Sequence, residues 1–127
     1  MKIYFYLVIY LISGIGVVRI MNEKVSTVLV TYPDEQTARM ISKSLVDRRL
    51  AACSNIFPIE SIYRWDGEVK ESSEYASLIM IRPKDFSLVE EFIRDIHPYE
   101  VPCIVQYHIE NGLRDYMSWI ITSTNRS

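Results

Sequence analysis

Three side chains able to bind a metal or move a proton fall within seven residues: His97, Glu100 and Cys103, in the stretch IHPYEVPCIV (96–105). Imidazole and thiolate are both metal donors, and a carboxylate could complete the set. A histidine and a cysteine six apart match no established metal spacing. The same stretch also reads as a stiff link between a helix and a strand. Pro98 and Pro102 restrict its backbone, and a histidine at a helix end can hydrogen-bond loop carbonyls. Both readings stay open at this point.

Other reactive side chains are more scattered. Tyr63 and Trp65 could stack on a ligand, or serve as hairpin and interface packing. Cys53 follows Ala51-Ala52 in an apolar strand and reads as a small core residue, while His108 reads as a half-buried strand residue. The charged cluster Glu68, Lys70, Glu71 and Glu74 reads as a solvated strand face. No Ser/His/Asp order, glycine-rich phosphate loop, CxxC or HExxH occurs, so the chain offers no enzyme signature.

The elements that must position these residues are legible from periodicity. VSTVLVTY (25–32) is β-branched and apolar, as expected of a strand buried on both faces. Asp34 is a good N-cap for a helix whose apolar Ala38, Ile41 and Leu45 recur at helical spacing. Asp34 and Glu35 at its start and Arg48 and Arg49 at its end match the helix dipole. Residues 59–65 and 75–81 alternate around Asp66-Gly67, a two-residue hairpin turn. Pro58 predicts a kink or bulge. The hairpin tip is long and aromatic, which calls for a partner surface. Val89, Phe92, Ile93 and Ile96 form a second helical stripe ended by Pro98. CIVQYHI (103–109) follows as a strand, then an Asn111-Gly112 turn and a short helix anchored by Tyr116, Trp119 and Ile120. The order βαββαβ plus a terminal helix is the α+β, ferredoxin-like plan, with both main helices on one face of an antiparallel sheet.

A chain of 127 residues with 49% hydrophobic and 24% charged residues suits one globular domain. Two cysteines do not make a disulfide scaffold; two buried thiols in a reducing, cytoplasmic setting are expected. Residues 1–20 stand apart: thirteen of the sixteen from Ile3 to Val18 are hydrophobic, between Lys2 and Arg19. The run is short for a membrane span of about 20 residues. It resembles a signal or anchor segment, which would export or tether the protein, or else an extension upstream of a start at Met21. The domain is therefore taken as residues 21–127. Without Lys2 and Arg19 it holds 12 basic against 16 acidic groups, a net of −4. Such a balance does not favour nucleic acid, and contact with a membrane would depend on residues 1–20.

Four motifs carry a family resemblance. RLAACSNIFPIESIYRWDGEV, HPYEVPCIV, GLRDYMSWI and TYPDEQTARMI resemble the corresponding segments of the CutA family of divalent-cation tolerance proteins. The resemblance spans about residues 25–122. It implies a homotrimer of ferredoxin-like subunits with a PII-like architecture, in which the long hairpins wrap neighbours. It also implies a link to divalent metals, copper among them, without an assigned reaction. On this resemblance His97, Glu100 and Cys103 are the metal candidates, and Tyr63, Trp65, Tyr99 and Arg49 the cleft or interface residues. Where some bacterial members carry a cysteine and a second histidine, this chain has Val30 and Ile96, while Cys103 returns one soft donor. A PII-like signalling or scaffold trimer with a small metabolite in its cleft is the alternative.

Overall fold

The computed structural model describes residues 24–126; the segment 1–20 and every expectation about it lie outside them. The elements are β1 (Val25–Tyr32), α1 (Glu35–Asp47), β2 (Cys53–Trp65), β3 (Glu68–Ile81), a 3-10 turn (Pro83–Asp85), α2 (Phe86–Ile96), β4 (Ile104–Ile109) and α3 (Arg114–Ser123). The strands form one antiparallel sheet in the order β2-β3-β1-β4. This is the expected α+β, ferredoxin-like arrangement. No helix among the described residues is long and apolar enough to cross a membrane.

Strand β1 organises the core. Val28, Val30 and Tyr32 are fully buried beside Ile79 and Ile81, and helices α1 and α2 close over them with Ala38, Ile41, Leu45, Val89 and Ile93. The alternate residues Thr27, Leu29 and Thr31 are only half-buried, so the expected burial on both faces holds on one. The cause is coverage. Helix α3 roofs only one end of the second face, where Ile120 and Ile121 meet Val25 and Ala52. The rest of that face, with Val105 and Tyr107 of β4, is left uncovered by the described residues.

Local chemistry fixes the ends of α1. Asp34 caps it by accepting the Thr37 amide N–H at 2.7 Å. At the other end Arg49 takes a left-handed conformation, φ 59°. The Arg49 amide donates to the Val46 carbonyl at 3.0 Å and the Leu50 amide to the Leu45 carbonyl at 3.1 Å. This is the Schellman closure, usually made with glycine. Arg48 lies over the Phe92 ring at 4.5 Å, tying α1 to α2.

The hairpin is regular. Pairing runs without interruption from Cys53↔Met80 to Trp65↔Glu68, and Asp66 (φ 53°) and Gly67 (φ 76°) make a type I′ turn. No bulge occurs at Pro58, which pairs opposite Tyr75. β2 is a sheet edge, where a proline nitrogen facing outward removes no ladder bond. Because β1 pairs with β3 only from Tyr75 onward, the part beyond it is a free two-stranded ribbon.

Three smaller expectations are corrected. Residues 110–113 form an irregular link rather than a turn; a Cβ on Gly112 would sit 2.8 Å from the Met117 sulfur, so that thioether would have to shift. His108 is exposed on the edge strand β4, its Nδ1 3.2 Å from Ser26 Oγ. Ile96 ends α2 exposed, since the helix has by then passed the edge of the core.

Candidate functional site

Helix α2 ends at His97, whose amide donates to the Ile93 carbonyl at 2.8 Å. The chain then turns through Pro98 toward β4. Within this turn His97 is 9% exposed, and its ring uses both nitrogens. Nε2–H donates to the Thr31 carbonyl at 2.8 Å, and Nδ1 accepts the Tyr99 amide N–H at 3.1 Å. A carbonyl can only accept and an amide N–H can only donate, so the tautomer is assigned by its partners. The ring also lies between Tyr32 and Tyr99, with centroids at 5.6 and 4.9 Å. His97 therefore pins the loop to the end of β1.

Above this hub is a hollow of about 660 Å³. Thr31, Tyr99 and Cys103 lie on its core side, Ser61, Tyr63, Trp65 and Glu74 on the hairpin, and Glu100 and Val101 on the loop. The period-2 alternation of β2 turns Ser61, Tyr63 and Trp65 to one face. Cross-strand pairing puts Glu74, opposite Ile59, on that face too. The Tyr99 hydroxyl donates to Glu74 Oε2, joining loop to hairpin. The Tyr63 hydroxyl is 2.8 Å from Ser72 Oγ. Glu60 also borders the hollow and accepts the Ser73 hydroxyl at 2.7 Å.

Burial raises the Tyr99 phenol well above its ordinary pKa, and the bond to Glu74 adds to this. Burial likewise pushes the Cys103 thiol up; a hydrogen bond with Thr31 offsets part of the rise, and the charge of Glu74 adds to it. A thiol held protonated is a poor nucleophile and must lose its proton before ligating a metal.

The structure brings Tyr63, Trp65, Tyr99, Glu100 and Cys103 to one hollow within a single chain. His97 does not line it: the ring lies beneath, with its one lone-pair nitrogen already taken. Arg49 is elsewhere, closing α1 and donating to the Ser123 carbonyl at 3.5 Å. Its left-handed capping position directs it to the C-terminal helix rather than the cleft. Glu74 was expected on a solvated strand face and is instead the loop's anchor. The turn at Asp66-Gly67 was the available signal, because it fixes the partner of every hairpin residue. Among the described residues no group of three or more His, Cys, Asp or Glu could hold a metal ion. With His97 engaged, the described residues bring no nitrogen donor from histidine to the hollow. Cys53 and Cys103 are both free and half-buried rather than fully buried.

A ferredoxin-like fold with an overhanging hairpin and a hollow at its base defines the class of protein. A family model for the CutA1 divalent ion tolerance protein matches residues 26–123, and the chain belongs to that family. It is 46% identical over 98 residues to the divalent-cation tolerance protein CutA of Thermus thermophilus, covering 76% of this chain and 95% of the relative. A solved structure described as the periplasmic divalent cation tolerance protein CutA from Archaeoglobus fulgidus superposes with a TM-score of 0.78 at 34% identity. It covers 80% of this chain and 99% of that one. CutA1 from Oryza sativa gives a TM-score of 0.79 at 31% identity, covering 84% and 99%.

Proposed function

We propose that this chain is a non-catalytic homotrimer of the divalent-metal response, working in the cytoplasm, with copper as its cation. The observation that carries the assembly is the open sheet face. Leu29, Val105 and Tyr107 form an apolar surface that no helix among the described residues covers, and Ile62 (71% exposed) and Val69 (63%) project from the free ribbon. Ile62 and Val69 lie on the ribbon face opposite Tyr63 and Trp65, so packing them on a neighbour leaves the hollow its own wall. An exposed apolar surface of this kind marks an interface. Copper would be held where subunits meet, with Cys103 as the soft donor and the neighbour supplying what one chain lacks.

Light scattering of the full chain should give three times the chain mass, with Ile62→Lys/Val69→Lys shifting it to smaller species; a monomeric wild type overturns the assembly. Copper titration should saturate in the trimer, persist in His97→Ala and weaken in Cys103→Ser. Loss of copper binding in His97→Ala alone would return the imidazole to the ligand set.

A second reading has its own support: the hollow takes a small organic molecule, as a PII-like signalling trimer would. Its size is that of a small-molecule site, and the engagement of His97 leaves it without the nitrogen donor copper favours.

A further inference from the structure

We infer that the hollow takes an organic cation: an ammonium or guanidinium carried on an apolar or aromatic body. This deepens the second reading and rests on it.

The size and lining of the cavity select the ligand class. About 660 Å³ far exceeds a metal ion and suits a small molecule. Its walls present three aromatic side chains, Tyr63, Trp65 and Tyr99, whose faces attract cations and stack on flat groups. An inorganic ion would gain little from such walls and would need clustered donors, of which no set of three exists among the described residues.

The sign of charge follows from what accompanies the aromatics. Glu60, Glu74 and Glu100 border the hollow, and among the described residues no lysine, arginine or histidine does. An anionic ligand would meet uncompensated repulsion there. Glu74 is already fixed by the Tyr99 hydroxyl, so its carboxylate needs no reordering on binding. Glu100 is exposed at the rim, where its carboxylate can accept from a guanidinium. Val101 supplies apolar surface for the body of the ligand.

The test uses three probes of one shape on the full chain: benzylguanidinium, benzyl alcohol and benzoate, followed by calorimetry. Benzylguanidinium should bind at least tenfold more tightly than benzyl alcohol, and benzoate should not bind. Glu100→Gln and Trp65→Ala, each checked for an unchanged melting temperature, should each weaken the guanidinium severalfold. Equal binding of the cation and the alcohol would overturn the charge selection while leaving the hollow a small-molecule site. Guanidinium binding that is indifferent to both substitutions would place the probe elsewhere and overturn the inference. Silence from all three probes would remove the small-molecule reading itself, and this inference with it.

Discussion

Tyr99 and Glu74, 25 residues apart, join the loop after α2 to the hairpin through one phenol–carboxylate hydrogen bond. The donor comes from a loop pinned by His97 and the acceptor from a ribbon that β1 no longer supports. Tyr99→Phe removes this tie while keeping the ring. Part of the site is open to solvent, so the loss should be about 1 kcal/mol, below the usual range for a bond to a charged group. The folded-state pKa of Tyr99 is raised, so its contribution is complete below the unfolded phenol value of about 10 and is lost as pH climbs toward the folded one. Urea unfolding at pH 9 and pH 11 should show a larger drop for wild type than for Tyr99→Phe. Equal drops would mean the phenol adds nothing to alkaline sensitivity.

His97→Ala should cost about 2 kcal/mol, because it strands both the Thr31 carbonyl and the Tyr99 amide. A histidine acting only on the helix dipole would cost about 1 kcal/mol or less. Denaturant midpoints at constant m-value decide between the two. Amide exchange should also quicken at Tyr99, which loses its acceptor.

The C-terminus is clasped to the 3-10 turn. Asp85, 3% exposed, receives Arg126 on both oxygens, at 2.7 and 3.1 Å. Arg126→Ala leaves that carboxylate facing the Arg82 Nε at 3.9 Å. A loss of about 2–3 kcal/mol is expected, less than for a fully buried pair because Arg126 is partly exposed. The double variant Asp85→Asn/Arg126→Ala should recover part of it, as measured by thermal unfolding, since the stranded charge is gone.

Deleting residues 1–20 should shift the melting temperature by no more than a few degrees. Both apolar clusters close using residues 25–121. A larger fall would make the segment part of the folded core and move the domain boundary.

How much of this was legible in the sequence depended on range. Strand β1, the α1 stripe and the hairpin turn are local patterns of two or four residues, and they read correctly. Asp34 could be recognised as a cap because its partner is three residues away. His97 could not be resolved between ligand and hub, since its deciding acceptor is the Thr31 carbonyl, 66 positions earlier. The same holds for Asp85 and Arg126, 41 apart. Arg49 was named from a family resemblance, while the role visible in one chain, the left-handed residue that closes α1, depends on backbone geometry that its identity does not signal. Pro58 misled because edge position is a property of the sheet order, which pattern alone does not supply. Glu74 was within reach: a two-residue turn sets its cross-strand partner.

The unbroken register of the hairpin imposes a rule of parity. Every pair from Cys53↔Met80 to Trp65↔Glu68 is in step, so one extra residue in either strand must bulge or turn Tyr63 and Trp65 to the opposite side. Length can change cleanly only by adding or removing residues in matched couples at the tip. Homologous hairpins that keep the aromatic wall are thus expected to differ in length by even numbers.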